Sequence, residues 1–229
     1  MAIAFVAAAD GDNVADSNFL NIAVPAGTLD GHVMVLAASQ RGNFTAISWP
    51  AQAGWTLIRE DDEATHFSQA FYYRVASSEP ASYNFSLATN GKCSGGILTF
   101  SGVNTSSPVD AHGSSVFTAD TTSGVAPSIS PVGSDDMLIC AFCTEYQDDN
   151  VWTPPGSMVE RVERKSHTGT SNSGTTIEIC TELLAASGPT GTRTATSTIS
   201  THIIAQSLAL KSASAISVKR LLGIQGVGR

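Results

Sequence analysis

Alternating apolar residues are the feature that constrains the fold of this chain most strongly. In residues 71–75 and again in residues 83–87, a large apolar side chain falls on every second position. Because successive side chains of a β-strand point to opposite faces of its sheet, this spacing predicts two strands that are buried on one face. Residues 97–100 are apolar on both alternations, which is typical of a strand further inside a sheet. With turns predicted at 77–80 and 90–91, the three runs indicate a half-buried β-meander.

The composition indicates the same fold class for the whole chain. Only 14% of the 229 residues are charged, and Gly, Ser, Thr and Ala are abundant, as in proteins built of strands and turns. No segment before residue 211 shows sustained helical periodicity. We therefore expect an all-β fold: an antiparallel two-sheet β-sandwich, jelly-roll-like, with an internal pseudo-repeat and an extended C-terminal arm.

The pseudo-repeat is predicted from the order of strand and turn signals, which recurs after about 104 to 110 residues. Two repeats make either two small sandwiches or one sandwich in which each half supplies strands to both sheets. No linker rich in Gly, Pro or charge separates the halves, so we expect one domain. The matched segments are 31–37 with 135–141, 71–76 with 179–185, and 97–100 with 207–210.

The predicted domain organisation has a central sandwich between two arms. The first strand of the sandwich is expected near residues 19–24, and residues 101–122 are expected to form a connection that crosses the molecule. The predicted bounds are 1–18 for an N-terminal arm, 19–211 for the sandwich, with pseudo-repeats at about 19–105 and 123–211, and 212–229 for a C-terminal arm.

The C-terminal arm differs in charge from the rest of the chain. Residues 211–229 contain basic residues and no acidic one, whereas the whole chain has a formal charge of −8. The arm is also too apolar for a solvated end, which predicts that it attaches the protein to a neighbouring subunit. The alternative is a last strand that packs on its own sandwich. The predicted partner-binding residues are Ile216, Val218, Lys219, Arg220, Leu221, Leu222 and Ile224.

Several partner classes and motifs are not expected. The net charge of −8 argues against a nucleic-acid binder, because phosphate contacts need clustered Lys and Arg. No apolar run approaches the ~18 residues that cross a bilayer, and the N-terminus lacks the basic region of a signal peptide. No catalytic motif is present, so no catalytic residue, cofactor or metal site is predicted.

The remaining candidate residues are interpreted structurally. Cys140 and Cys143 lie in a predicted strand and point to opposite faces, which favours buried free thiols for all four cysteines. The five histidines, His32, His66, His112, His167 and His202, lie far apart in sequence, and none is paired at metal-ligand spacing, so they are predicted to be ordinary surface or turn residues. The acids at 10–16, 60–63 and 148–149 are predicted to be solvated turns in preference to Ca²⁺ sites. A carboxylate pair for glycoside hydrolysis would have to come from Asp61, Glu63, Glu145 and Asp148, but we interpret these acids as loop residues. A sugar-binding groove would have to come from Trp49, Trp55, Tyr72, Tyr146 and Trp152, but we interpret these aromatic residues as core.

Several longer motifs carry a family resemblance. They include Val-Pro-Ala-Gly at 24–27, Ala-Gly-Trp-Thr-Leu at 53–57, Tyr-Tyr-Arg-Val-Ala at 72–76 and Gly-Gly-Ile-Leu-Thr-Phe-Ser-Gly-Val at 95–103. With them, residues 19–211 resemble a β-sandwich module found in many bacteriophage proteins and some bacterial surface proteins.

The resemblance implies a non-enzymatic virion structural protein, made in the host cytoplasm. Such a protein would belong to the tail or decorate the capsid, and it would assemble with other virion subunits, as a homo-oligomer. Members of this group share no catalytic residues. The alternative is a carbohydrate-binding adhesin module that attaches to glycans on the host surface.

Overall fold

The computed structural model describes residues 2–41, 48–63, 66–145, 150–166 and 174–213, apart from the side chains of residues 14–16 and 88. Within these ranges the chain forms β-strands and no helix, so no helix there could span a membrane. The strands are β1 (Ala4–Ala23), β2 (Val33–Arg41), β3 (Thr56–Glu63), β4 (Phe67–Val75), β5 (Ser82–Ser101), β6 (Val109–Ala126), β7 (Met137–Glu145), β8 (Trp152–Thr153), β9 (Val159–Lys165), β10 (Thr175–Leu183) and β11 (Arg193–Leu210).

The strands form two antiparallel sheets that face each other. Sheet one has the order β1-β5-β2-β4-β3, and sheet two has the order β6-β11-β7-β10-β9, with β8 beside β11. The predicted all-β, antiparallel two-sheet sandwich is confirmed. The jelly-roll-like arrangement is not confirmed, because each half of the chain forms one complete sheet instead of supplying strands to both.

The two sheets have the same strand order when β8 is set aside, with β6, β7, β9, β10 and β11 in the places of β1 to β5. Their registers are equivalent as well. In sheet one Val33 of β2 lies opposite Phe100 of β5, and in sheet two Met137 of β7 lies opposite Leu210 of β11. These four residues belong to the segments from which the pseudo-repeat was predicted.

One apolar cluster fills the space between the sheets. The central strands β2 and β7 contribute to it at every second residue, as the alternation of a strand requires. A fully buried Phe, Leu or Ile side chain contributes roughly 1.5–3 kcal/mol, so this cluster is the main force that holds the sheets together. Its members include Phe67, Phe71, Leu98 and Phe100 of sheet one and Ile139, Ile177, Ile179 and Leu208 of sheet two.

Each sheet also has a buried outer face. On sheet one, the C-terminal part of β1 and the N-terminal part of β5 form a two-stranded ribbon that packs over β2 and β4. An equivalent cluster on sheet two includes Trp152 and residues of β6, β7, β10 and β11. The outer cluster of sheet one contains Leu20 and Phe85 of the ribbon, Met34, Leu36 and Tyr72 beneath it, and Trp49 and Trp55. This second burial explains why β2 and β7 are apolar on both faces.

The ribbon bends at Asn13, whose side chain makes hydrogen bonds to backbone groups in place of regular strand pairing. Its Nδ2 donates to the carbonyl oxygen of Phe19 at 3.2 Å, and its Oδ1 accepts from the N–H of Cys93. Beyond the bend, the backbone of Asn21 lies directly against Gly11, where a Cβ atom would overlap the Asn21 carbonyl oxygen. Glycine at this position therefore permits the ribbon to fold back on β1.

The predicted meander is wrong in its strand order. β2 lies between β4 and β5, so residues 71–75 and 83–87 are not neighbours, and residues 83–100 belong to one strand. Gly91, expected in a turn, pairs with Ser17 beside the bend of the ribbon. The alternation was read correctly for residues 83–87, whose apolar residues are buried or half-buried and whose polar residues are exposed. For residues 71–75 it was incomplete, because Tyr72, on the other face of β4, is buried as well.

Two segments that were predicted to lie outside the sheets belong to them. β1 begins at Ala4, so most of the predicted N-terminal arm, residues 1–18, is part of sheet one. Residues 101–122, predicted to be a connection, contain most of β6. Both segments are rich in small and polar residues with low strand propensity. Pairing with the long neighbouring strands β5 and β11 overrides that local preference.

The last described residues are fixed to the sandwich. Ser212 makes a β-bridge with Val103, and the N–H of Ala213 donates to the carbonyl oxygen of Gly102 at 2.8 Å. The predicted partner-binding residues lie outside the described residues, so their role stays a prediction. They are Ile216, Val218, Lys219, Arg220, Leu221, Leu222 and Ile224.

We expect Gly11→Ala to destabilise the protein, because the added methyl group would overlap the Asn21 carbonyl oxygen. Over-packing of this kind costs about 1–3 kcal/mol, which lowers the melting temperature by several degrees. Gly156→Ala is the control, since Gly156 is exposed and its Cβ would meet nothing within 4 Å. Equal melting temperatures for the two variants in calorimetry would contradict the folded-back ribbon.

Candidate functional site

Four ionisable side chains from both sheets meet at the end of the sandwich where β3 and β7 finish. Glu63 is the last residue of β3, and His66 follows in the turn to β4, where its N–H donates to the Glu63 carbonyl oxygen at 2.9 Å. Glu145 is the last residue of β7, and His202 lies in the neighbouring strand β11. We call these four residues the cross-sheet centre.

The polar atoms of the cross-sheet centre converge. His66 Nδ1 lies 2.6 Å from Glu145 Oε1, and the two histidine rings are 5.0 Å apart between centroids. His202 Nδ1 lies 3.2 Å from Glu63 Oε1 and 3.9 Å from Glu145 Oε1, and its Nε2 lies 3.7 Å from Asp120 Oδ1. One ligand atom each from Glu63, His66 and His202 lies within 4.8 Å of the others. Nitrogen and oxygen donors at this spacing form a candidate metal site.

The carboxylates of the centre are buried, whereas its imidazoles reach the surface. The side chains of Glu63 and Glu145 are each 4% exposed, compared with 29% for His66 and 21% for His202. Burial raises the pKa of Glu145, and the hydrogen bond with His66 opposes that shift. Among the described residues, Oε2 of each glutamate and Nδ1 of His202 have no hydrogen-bond partner. Buried polar atoms usually have one, so these three call for an explanation.

Asp61, on the same strand as Glu63, accepts hydrogen bonds with both of its carboxylate oxygens. Asp61 lies two residues before Glu63, on the same face of β3. Its Oδ2 accepts from Gln206 Nε2 at 2.7 Å, and its Oδ1 accepts from Ser114 Oγ at 2.7 Å and Arg59 Nη2 at 2.8 Å. Asp61 thus ties β3 to β6 and β11, whereas the protein supplies fewer partners to Glu63.

The same place in the other half of the sandwich has a different chemistry. By strand register, the equivalents of Glu145, His202 and Glu63 are Arg41, Lys92 and Ser166. A sandwich end of this geometry is therefore compatible with basic residues. At these three described positions the two halves differ in side-chain chemistry, so the strand arrangement alone does not account for the carboxylates and imidazoles of the cross-sheet centre.

The histidine prediction did not anticipate that two of the five residues meet. His66 lies in a turn, as predicted, and His202 lies in strand β11, yet their rings are in contact although the residues are far apart in sequence. Glu63, predicted in a solvated acidic turn, is buried beside them. The three-residue spacing of Glu63 and His66 was the only local signal. His32 and His112 lie apart from the centre, and His167 lies outside the described residues.

The other acidic groups are placed differently. Arg164 forms ion pairs with Asp10, at 3.1 Å, and with Asp12. Of the carboxylates considered for glycoside hydrolysis, Glu63 and Glu145 meet in the cross-sheet centre, and Asp61 belongs to the network beside it. Asp148 and Asp149 lie outside the described residues.

The interpretation of the cysteines is confirmed. All four are free and buried. Cys140 lies in the outer cluster of sheet two, whereas Cys143 lies in the cluster between the sheets. Their sulfurs therefore point to opposite faces of β7 and cannot act as a redox or zinc pair.

The described aromatic residues considered for a sugar groove are core residues. Trp49, Trp55, Tyr72 and Trp152 are all at most 8% exposed. Each belongs to an outer-face cluster, and Trp49 and Trp152 donate ring N–H hydrogen bonds to Ser68 and Thr176. The fifth candidate, Tyr146, lies outside the described residues.

A second acidic cluster lies on sheet two. Glu178 of β10 is fully buried, and ligand atoms of Glu160 and Glu163 on β9 lie within 4.8 Å of its carboxyl group. Burial raises the pKa of Glu178 to about 8, and repulsion by the two neighbouring carboxylates adds to the shift, whereas the hydrogen bond from Cys180 opposes it. The Glu178 carboxyl group therefore holds a proton at neutral pH.

The protonated Glu178 predicts a loss of stability with rising pH. Between its ordinary pKa of 4.5 and about 8, the folded protein keeps a proton that the unfolded chain has released, so the unfolding free energy falls as pH rises. Glu178→Gln should remove much of this slope and be more stable than wild type at pH 8 by several kcal/mol, since each unit of pKa shift corresponds to about 1.4 kcal/mol. Urea unfolding at pH 5 and pH 8 measures the difference.

Glu160→Gln is the matched control, because it changes an exposed member of the same cluster and keeps the buried carboxyl group. Its unfolding free energy should fall with pH nearly as that of wild type does. The prediction fails if Glu178→Gln has the same slope as Glu160→Gln.

Comparison with known proteins gives no relative for this chain. No family model, no curated protein and no solved structure matches it.

Proposed function

We propose that this protein is a structural component of a bacteriophage virion, in the tail or on the capsid surface, that acts by binding neighbouring subunits and not by catalysis. The resemblance of residues 19–211 to the phage sandwich module supports this function. A two-sheet sandwich with a core between the sheets and a cluster on each outer face is also a rigid unit suited to assembly.

The observation that carries the proposal is the way the chain leaves the sandwich. Lys211, Ser212 and Ala213 are held by backbone hydrogen bonds to residues that follow β5, including one from Asn104 N–H to the Lys211 carbonyl oxygen at 2.9 Å. Asp136 Oδ1 also accepts from the Ser212 N–H at 2.7 Å. The apolar and basic C-terminal arm therefore starts from a fixed point, which limits the entropy lost when it binds a partner.

The end of the sandwich from which the arm leaves also has apolar residues on its surface. Leu29 precedes β2 and is 65% exposed, and Val132 precedes β7 and is 75% exposed. Val132 is held in place, since its N–H donates to Asp110 Oδ2 at 2.6 Å. These residues offer apolar contact area beside the arm for a neighbouring subunit.

Deleting residues 214–229 should leave a folded sandwich, because every described strand and every member of the described core clusters precedes that segment. We expect light scattering to show a defined oligomer for the full chain and a monomer for the truncated one, with melting temperatures within a few degrees of each other. Leu221→Asp with Leu222→Asp is the matched variant, since it keeps the arm and removes its apolar contacts.

Unfolding of the truncated chain would show that the arm is part of the domain core, contrary to the proposal. Mass spectrometry of purified virus particles tests the virion assignment itself. The protein should be recovered in stoichiometric amounts with other structural subunits, and its absence from intact particles would refute the assignment.

A further inference from the structure

The cross-sheet centre contains buried carboxyl groups and unused donor atoms. Glu63 and Glu145 are both buried, and one oxygen of each has no hydrogen-bond partner among the described residues. Burying carboxylates side by side is costly unless positive charge lies between them. A dication could fill that role here.

The type and spacing of the donors match zinc. Zn²⁺ binds imidazole nitrogen and carboxylate oxygen at about 2.0–2.2 Å, so neighbouring donors of a tetrahedral site lie roughly 3.2–3.6 Å apart. His202 Nδ1 and Glu63 Oε1 are already 3.2 Å apart. The ligand atoms of Glu63, His66 and His202 all lie within 4.8 Å of one another, so small side-chain rotations would complete the site.

We propose that the cross-sheet centre binds one Zn²⁺ ion through Glu63, His66 and His202. Glu145 is a positioning residue: its Oε1 lies at hydrogen-bonding distance, 2.6 Å, from His66 Nδ1. A carboxylate in this position fixes the ring of a metal-binding histidine, and the metal takes the other ring nitrogen. Both imidazoles reach the surface, which gives the ion a path to the site.

The ion would clamp the sandwich at this end. Glu63 and His66 belong to sheet one, whereas His202 and its neighbour Glu145 belong to sheet two. A bond from each sheet to one ion closes a loop of more than half the chain, and metal binding to the folded state adds to its stability. This inference is independent of the virion proposal, and either can fail alone.

The competing explanation is a metal-free network of histidine–carboxylate ion pairs. Such a network accounts for the short contact between His66 and Glu145. It leaves Nδ1 of His202 without a hydrogen bond although Glu63 Oε1 is 3.2 Å away. Zinc coordination uses the His202 nitrogen and a Glu63 oxygen, and it explains why they face each other without a hydrogen bond.

The test is a titration of the untagged full-length chain, stripped with a chelator, with Zn²⁺ in a calorimeter at pH 7.5. We expect saturable binding of one ion per chain and a higher melting temperature in the presence of zinc. Co²⁺ in place of Zn²⁺ should give the visible absorption bands of a four- or five-coordinate ion. Absence of saturable binding by the wild-type chain would overturn the proposal.

Variants distinguish this site from any other zinc site on the chain. His202→Ala and the isosteric Glu63→Gln each remove a ligand and should weaken binding by more than about 100-fold, and Glu145→Gln by about 10- to 100-fold. His112→Ala, which changes an exposed histidine away from the centre, should bind as wild type does. Each variant is first checked for a wild-type circular dichroism spectrum, and Glu63→Gln serves if His202→Ala does not fold. Wild-type affinity in both ligand variants, or an equal loss in His112→Ala, would refute the assignment.

Discussion

The fold depends on covering both faces of each sheet. β2 is buried at all but its last residue and β7 along its whole length, so each sheet needs a cover on its outer face as well as a partner sheet. On sheet one the chain supplies that cover with its own ribbon, which turns back where Asn13 replaces backbone hydrogen bonds and Gly11 admits the backbone of Asn21. A local feature of two residues therefore supports the outer core of half the molecule.

The parts of the fold that could be predicted from sequence are the local ones. Alternation at residues 71–75 placed Phe71, Tyr73 and Val75 on one face of a strand, and that face packs between the sheets, because the side-chain period of a strand does not depend on its neighbours. Strand order does depend on them. The Asn-Gly pair at 90–91 has the sequence of a reversal, yet it lies within β5, which remains paired with β1 on both sides of the bend. The N-terminal strand was missed because its formation depends on pairing with β5, which extends to residue 101, and not on its own residues.

The cross-sheet centre was beyond sequence reasoning for a geometric reason. Glu63 and His66 are close in sequence, but Glu145 and His202 come from strands of the other sheet. The four residues meet because β3, at the edge of sheet one, comes close to β11 of sheet two. No spacing within one strand encodes that approach. Cys140 and Cys143 are the opposite case: their separation follows from the alternation of a single strand, so sequence alone was sufficient.

The division of the sandwich into one sheet per half has a consequence for its synthesis. Residues up to Ser101 complete sheet one before any strand of sheet two has left the ribosome. The inner face of that sheet, with Phe71, Leu98 and Phe100, then has no partner until β7, β10 and β11 have been made. A nascent chain in this state exposes apolar surface and is open to aggregation or to capture by chaperones. Most of the core can therefore form only after translation is nearly finished. The yield of folded protein in the cell is then sensitive to the rate at which the second half of the chain is synthesised.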